Sequence, residues 1–291
     1  MKKIFNFSLY FPFLIFFIAC SPKSTAPKKT IETIVATIDS NKADTKKSSD
    51  SDYYTKNYFR YEDFTYKKNI KTVFLHKDGF ELAMPVLELN SESKLKLTFD
   101  DLDGDIKTYK YTVIHCDAYW KPTDALKAEY INGFENDFIE NYKYSFNTLQ
   151  RFTHFELIFP SENLQLTKSG NYLLKVFIDD NEDNVVLTRR FMISEPKLNV
   201  NATVRGATNL DDRNYKQEID FTINTANYNI SDPYESLKIV ITQNGRWDNA
   251  IKGLKPKMVN GDILDYNYDD KNVFSGGNEF RKFDFRSLRY V

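Results

Sequence analysis

The chain has 291 residues, 40 Lys+Arg against 41 Asp+Glu, a formal net charge of −1, and 15% Phe, Trp and Tyr. A charge this close to zero gives no electrostatic argument for nucleic acid or acidic substrates as partners. The length suffices for two domains, the aromatic content supplies bulk for real cores, and two cysteines with separate roles exclude a disulfide framework.

Lys2 and Lys3 precede a run over residues 4–19 in which only Asn6 and Ser8 are polar, the charged and apolar regions of an export signal. It ends in Phe17-Ile18-Ala19-Cys20. A small residue directly before a cysteine is the pattern of a bacterial lipoprotein, with Phe17 in place of the usual Leu, Val or Ile. A membrane-spanning helix fits less well, because the run is shorter than about 20 apolar residues and contains Pro12. Residues 1–20 are therefore expected to be a signal peptide, with Cys20 acylated. At roughly 0.8 kcal/mol per buried CH₂, two or three chains make a lasting anchor. Residues 21–52, nearly all Ser, Thr, Lys, Asp, Asn, Ala and Pro, read as a disordered tether with a reach of about 30 Å. Ser21, Pro22 and Lys23 bring no acidic surface-export signal, which favours the periplasmic face of the outer membrane.

From residue 53 the periodicity is that of strands. Residues 71–76 alternate through Val73 and Leu75, residues 81–89 read as an extended apolar segment with Pro85 at an edge or bulge, and Leu95, Leu97 and Phe99 alternate with polar neighbours. The acidic stretch from Asp100 to Asp105 is predicted to be a hairpin turn, Asp103-Gly104 supplying positive φ, into residues 107–116. There Tyr109, Tyr111, Val113 and His115 share one face. Residues 118–141 break the pattern with a helix capped by Thr123 or Asp124, then Tyr130-Ile131-Asn132-Gly133-Phe134. Strands resume at 142–147, 154–159 and 172–178, and after a turn at 179–184 at 185–193. Ser194-Glu195-Pro196 is the expected boundary, and a second β pattern follows. It runs through Val200, Ala202 and Val204, then Ile219, Phe221 and Ile223, then residues 237–242 ending in an Asn244-Gly245 turn. It closes on Phe280, Phe283 and Phe285. The expected fold is mainly all-β: two successive antiparallel β-sandwich (Ig-like) domains, 53–195 and 196–291. The first carries a helical, aromatic loop insertion; the second stops inside a strand pattern and reads as incomplete.

Catalytic constellations are absent. An EF-hand centred on Gly104 would need oxygen ligands where Phe99 and Lys110 stand, leaving only a looser calcium contact open. His76, His115 and His154 form no metal-ligand pair, and adjacent His115 and Cys116 point to opposite faces of a strand. Cys116 reads as a buried structural thiol and Gly276-Gly277-Asn278 as a hairpin turn. No catalytic residue, metal ligand or cofactor is assigned. Two carboxylates facing across a cleft cannot be recognised from sequence, so a periplasmic glycan-acting enzyme stays open.

Several strings, taken in order, carry a resemblance. They are Phe99-Asp100-Asp101-Leu102-Asp103-Gly104-Asp105, then Tyr111-Thr112-Val113-Ile114-His115-Cys116-Asp117-Ala118-Tyr119-Trp120-Lys121-Pro122, and Glu129-Tyr130-Ile131-Asn132-Gly133-Phe134. Ser145-Phe146-Asn147-Thr148, Thr153-His154-Phe155, Ser169-Gly170-Asn171-Tyr172-Leu173-Leu174 and Gly277-Asn278-Glu279-Phe280-Arg281 with Phe283-Asp284 follow. Together they resemble the type IX secretion system plug protein family of Bacteroidota. The resemblance implies a non-enzymatic, β-rich periplasmic lipoprotein that binds the outer-membrane translocon barrel and closes its periplasmic mouth when idle. It implies no nucleic-acid partner and no small-molecule substrate. Family members run well beyond the Gly-Asn-Glu-Phe-Arg string, so a truncated member is expected. If the insertion is the docking edge, Trp120, Tyr130 and Phe134 are its natural anchors; the alternative, that they fill the domain's own core, is equally open. A carbohydrate-binding β-sandwich lipoprotein competes, but it should show a surface-export signal and exposed coplanar aromatics, and this chain has two tryptophans.

Overall fold

The computed structural model describes residues 59–277, so Cys20, the signal, the tether and Phe280, Phe283 and Phe285 lie outside the described residues. The fold is mainly β, as the alternation predicts. Two sheets make the first layer pair. Its strands in chain order are β1 (Phe64–Thr65), β2 (Ile70–Lys77), β3 (Val86–Glu88), β4 (Leu95–Asp101) and β5 (Tyr109–Cys116), then, after the short helix α1 (Lys127–Tyr130), β6 (Ile131–Gly133), β7 (Asn136–Phe138) and β8 (Asn141–Tyr144). β9 (Thr153–Phe159), β10 (Leu164–Leu166), β11 (Gly170–Ile178) and β12 (Asn181–Ser194) complete it. One sheet runs β1-β12-β11-β5-β7, the other β2-β4-β9-β8, and β6 pairs with β10. Pairing is antiparallel except for β3, which joins β12 in parallel.

The core follows from strand alternation. Leu95, Leu97 and Phe99 of β4 and Phe155, Leu157 and Phe159 of β9 are buried against Tyr109, Tyr111 and Val113 of β5 and Tyr172, Leu174 and Val176 of β11. Phe99 stacks on Phe155 at 5.2 Å, and Tyr109 meets both rings edge-on at 5.1 and 4.8 Å. Each such side chain contributes roughly 1.5–3 kcal/mol by leaving water. β11 is buried on both faces from Tyr172 to Phe177, because a second layer covers its outer side: Leu173 packs with Cys116 and Trp120.

Five sequence expectations change here. The Asp100–Asp105 stretch is not a hairpin: β4 pairs with β2 and β9 while β5 pairs with β11 and β7, so the acidic segment carries the chain from one sheet to the other. Gly104, at φ +69°, still supplies the positive φ. The helix starts later than Thr123 or Asp124, with Leu126 before its first turn, its N–H held by Glu129 Oε1 at 2.9 Å. Of the extended segment 81–89 only β3 is strand, and the 142–147 strand stops at Tyr144. The 179–184 turn is tighter than expected: Asp179 and Asp180 both have positive φ (61° and 53°), the geometry of a two-residue hairpin loop.

Gly133 ends β6 at φ +111°, and a Cβ there would lie 2.1 Å from the Asn163 carbonyl oxygen. Backbone cannot yield as a flexible side chain can. Gly133→Ala is therefore expected to cost about 2–3 kcal/mol, read as a lower urea midpoint at unchanged m-value.

Beyond Ser194 come β13 (Asn199–Gly206), β14 (Lys216–Asn224), α2 (Pro233–Ser236), β15 (Val240–Gln243), β16 (Arg246–Lys252), β17 (Met258–Asn260), β18 (Ile263–Asp265) and β19 (Val273–Ser275). One sheet runs β13-β14-β18-β17 with β19 also on β14; β15 and β16 form a hairpin. Its turn is Asn244-Gly245, as predicted, with φ of 54° and 71°. Phe221, Ile223, Leu254, Leu264 and Tyr266 are buried together, with Ile241 and Ile251 of the hairpin packed on them. Asp232 caps α2, accepting from the N–H groups of Tyr234 and Glu235.

Candidate functional site

The three expected anchors fall in different surroundings. Trp120 is buried, its backbone at φ +63°. The turn that aims it inward is built by Asp117: its carboxylate accepts from the N–H groups of Tyr119 (2.8 Å) and Lys121 (2.9 Å), and its carbonyl accepts from Trp120 (3.1 Å). The indole meets Trp247 of β16 edge-on at 5.2 Å, and the Arg190 guanidinium of β12 lies 4.5 Å over it. Arg190 is fixed in turn by the Tyr61 carbonyl, which accepts from Nε at 2.9 Å. Trp120 thus joins the insertion, β12 and β16, and presents no ring to a partner. Tyr130 is buried as well, packed against His115 and Tyr172 at 5.6 and 5.9 Å. Only Phe134 of the three is exposed.

Phe134 has exposed apolar company on the same insertion, Leu126 and Phe138. Phe138 lies on β7, the edge of its sheet, with the Lys110 ammonium 4.1 Å over its ring. A second outward group was not foreseen. Phe146 and Leu149 are 94% and 111% exposed in the loop between β8 and β9. The loop is held from both sides: Ser145 and Phe152 exchange two hydrogen bonds, and Gln150 Nε2 donates to the Leu102 carbonyl at 3.0 Å. The polar residues Ser145, Asn147 and Thr148 were the turn signal that could have placed Phe146 outside the core. A third group, Phe74, Phe80 and Leu82, lines a cavity of about 1000 Å³ beside the outer face of the β2-β4-β9-β8 sheet.

Polar clusters are tied up internally. Asp101 is fully buried and accepts from Asn69 Nδ2 (2.6 Å), Lys107 Nζ (2.6 Å), Tyr109 OH (2.9 Å) and the Asp103 N–H (3.1 Å). Burial alone would raise its pKa, but the Lys107 ammonium and the other donors outweigh it and hold the carboxyl below the usual range. Asp101, Asp103 and Asp105 have oxygen atoms within 4.8 Å of one another, the spacing of a cation site. The Lys107 ammonium bonds to all three, at 2.6, 2.5 and 3.2 Å, and so fills the cation's place from within the chain.

Cys116 is buried beside Trp120, and burial pushes its thiol up to about 11, with Asp117 adding to the shift and Arg190 opposing it. His115 lies across the strand with its ring on Thr123 Oγ1 (2.8 Å), so the two form no nucleophile–base pair. In the second sheet set Glu218 is fully buried and Asp220 lies on the same face of β14; Arg205 bridges them at 2.9 and 2.7 Å. Burial raises Asp220, while Thr208 and Arg205 hold Glu218 low. Two carboxylates bridged by one guanidinium on one strand do not face each other across a cleft, as a glycosidase pair must.

These features define a two-sheet β-sandwich with an aromatic insertion and several outward apolar groups. Residues 70–195 match the family model described as "Type 9 secretion system plug protein 1st domain". Over that stretch the chain is similar to the first domain of type IX secretion system plug proteins, the family that the ordered strings in the sequence resemble. A crystal structure of a hypothetical protein from Parabacteroides merdae superposes with a TM-score of 0.75 at 31% identity, over 80% of this chain. The match covers 59% of that protein's own chain. No curated protein matches.

Proposed function

We propose that this chain is a non-enzymatic, lipid-anchored subunit of the type IX secretion system that binds the outer-membrane translocon barrel and closes its periplasmic opening while no substrate passes. The family match over residues 70–195 is the observation that carries this reading. The outward apolar side chains, Phe134 and Phe138 of the insertion and Phe146 and Leu149 of the β8–β9 loop, give it surfaces suited to a protein partner. Cys20 would carry the acyl anchor, and residues 21–52 would keep the body within about 30 Å of the membrane, raising its concentration at the pore. The two domains would divide at 195/196, the first being the plug body. With Trp120 buried and Trp247 half-buried against it, the tryptophans offer no coplanar platform for sugar rings.

The test is purification of the translocon from cells carrying a tagged chain, with entry of a small dye measured in a deletion strain. Co-purification and a leakier membrane are expected. Failure of the tag to co-purify, with dye entry unchanged on deletion, would refute the reading. Phe134→Asp is expected to weaken recovery at least tenfold while leaving stability within about 0.5 kcal/mol, because the side chain is exposed.

A further inference from the structure

Alternation along β12 puts residues 187, 189, 191 and 193 on the face toward the first core, and Leu187, Phe191 and Ile193 are buried there. Residue 189 is an arginine, standing opposite Leu174 of β11, which belongs to the same core. A cation thus occupies a position patterned as apolar. The strand is also uncovered at this point. β1 pairs with β12 at Leu187 and Thr188, and β3 joins the same edge only at Met192, so residues 189–191 have no strand beside them there.

Arg189 Nη1 donates to the carbonyls of Phe64 (3.0 Å) and Thr188 (2.7 Å), and Nη2 reaches Thr65 Oγ1 at 3.4 Å. No carboxylate pairs with it among the described residues. Nε, on the side of the guanidinium that can hold a carboxylate with two bonds, donates to no described residue. Burial holds its pKa below the usual guanidinium value, with Asp63 opposing the shift. This is a charge drawn out of water without a counter-charge in contact.

Two clefts meet at Arg189. One, of about 570 Å³, is lined by Lys71, Thr72, Thr65 and Asp63; the other, of about 490 Å³, by Val73, Phe74, Leu75, Leu82, Met84 and Trp247. Asp63, Val73 and Arg189 line both. The ionisable groups around the pair are three cations, Lys71, Arg189 and Arg190, against one carboxylate, Asp63. Asp63 is engaged by the Arg190 N–H at 2.6 Å, whereas Lys71 is exposed and has no ion pair or hydrogen bond among the described residues. The backbone bends where β2 forms this wall. Its register with β4 passes from Lys71 opposite Asp100 to Phe74 opposite Thr98, so Thr72 and Val73 together face Phe99 in a β-bulge. Thr72 has φ +52°, a region that β-branched residues rarely enter and that clusters at ligand sites. The bulge sets Lys71 on the cationic cleft and Phe74 and Leu75 on the apolar one.

We propose that these joined clefts bind an organic anion with an apolar body, a medium-chain monocarboxylate, its carboxylate on Arg189 and Lys71 and its hydrocarbon against Val73, Leu75, Leu82 and Met84. An apolar hollow with a few convergent polar groups at one end is the usual form of a small-ligand site. A small inorganic anion would leave the apolar cleft unfilled, and an uncharged hydrocarbon would leave the guanidinium without its counter-charge. This inference is independent of the plug reading.

The experiment is calorimetric titration of decanoate, below its micelle-forming concentration, into the full chain carrying Cys20→Ser, with decanol and acetate as the two half-ligands. Decanoate is expected to bind at least about tenfold more tightly than either. Arg189→Gln should weaken decanoate at least about tenfold, and Lys71→Gln about threefold. Leu82→Asp, at a side chain 97% exposed, should weaken it about fivefold by putting a like charge in the apolar cleft. Arg189 also ties β1 to β12, so the urea midpoint of each chain is measured alongside. Lys71→Gln and Leu82→Asp are expected to unfold with the parent, which separates their loss of binding from loss of the fold. Equal uptake in all four chains, as the apolar run over residues 4–19 would give, overturns the proposal. So does decanol bound as tightly as decanoate.

Discussion

Replacing Asp101 by alanine is expected to lower the unfolding free energy by about 3–5 kcal/mol, the cost of removing one member of a buried, hydrogen-bonded charge pair. The carboxylate is wholly buried at the end of β4, where the chain leaves one sheet for the other. Four donors converge on it: Asn69, the Asp103 N–H, Lys107 and Tyr109. Alanine strands the buried Tyr109 hydroxyl and leaves Lys107 with two partly exposed partners, Asp103 and Asp105. An unfilled donor costs its full desolvation, so the loss exceeds the sum of ordinary surface hydrogen bonds. Asp101→Asn keeps the shape but removes the charge, and should fall between the two chains.

The same residue gives a signed pH dependence. Its folded pKa is held below the unfolded carboxylate value of about 3.9, so the stabilisation is present in full above that pH. It is lost as the pH falls through the folded value. Urea midpoints measured from pH 7 down to pH 2.5 should therefore drop below about pH 4 more steeply in the parent than in Asp101→Asn. Parallel acid limbs in the two chains would show that the buried carboxylate is not the source.

What could be read from the sequence depended on how local the cause was. Leu95, Leu97 and Phe99 alternate because one face of β4 is buried, and the pattern needs no knowledge of the partner strand. The Asn244-Gly245 hairpin was equally local, since its two positive φ values are a property of the turn residues. The acidic connection after Phe99 looks like a hairpin in sequence because a hairpin and a sheet-to-sheet crossing use the same Asp-Gly chemistry. What separates them is the pairing of β4 with β9 and of β5 with β11, strands distant in sequence. Of the site, the sequence located the insertion and its aromatics but not their directions. Tyr130 turns in because His115 and Tyr172 are there to receive it, and Phe134 points out because Gly133 closes on the Asn163 backbone.

Trp120 decides between docking anchor and internal joint, and its burial against Trp247 favours the joint. If the indole met the translocon directly, Trp120→Ala would weaken recovery while leaving the isolated protein as stable as before. Its burial against Trp247, with Arg190 over the ring, instead predicts a loss of about 3–5 kcal/mol, the usual cost of truncating a buried aromatic to alanine. Part of that loss belongs to the pair of indoles. A double-mutant cycle of Trp120→Ala with Trp247→Ala, read by urea unfolding, is expected to give a coupling of about 0.5–1.5 kcal/mol, the range for an edge-to-face aromatic contact. Arg190 adds to the effect, since its guanidinium would lose the face it lies on while the Tyr61 carbonyl still holds it in place. Because Trp247 is on β16 and Trp120 precedes the helix of the insertion, the coupling measures one contact that joins the two sets of sheets. The cycle therefore tests whether the tryptophan expected at the docking edge serves instead as an internal joint of the body that carries Phe134 and Phe146.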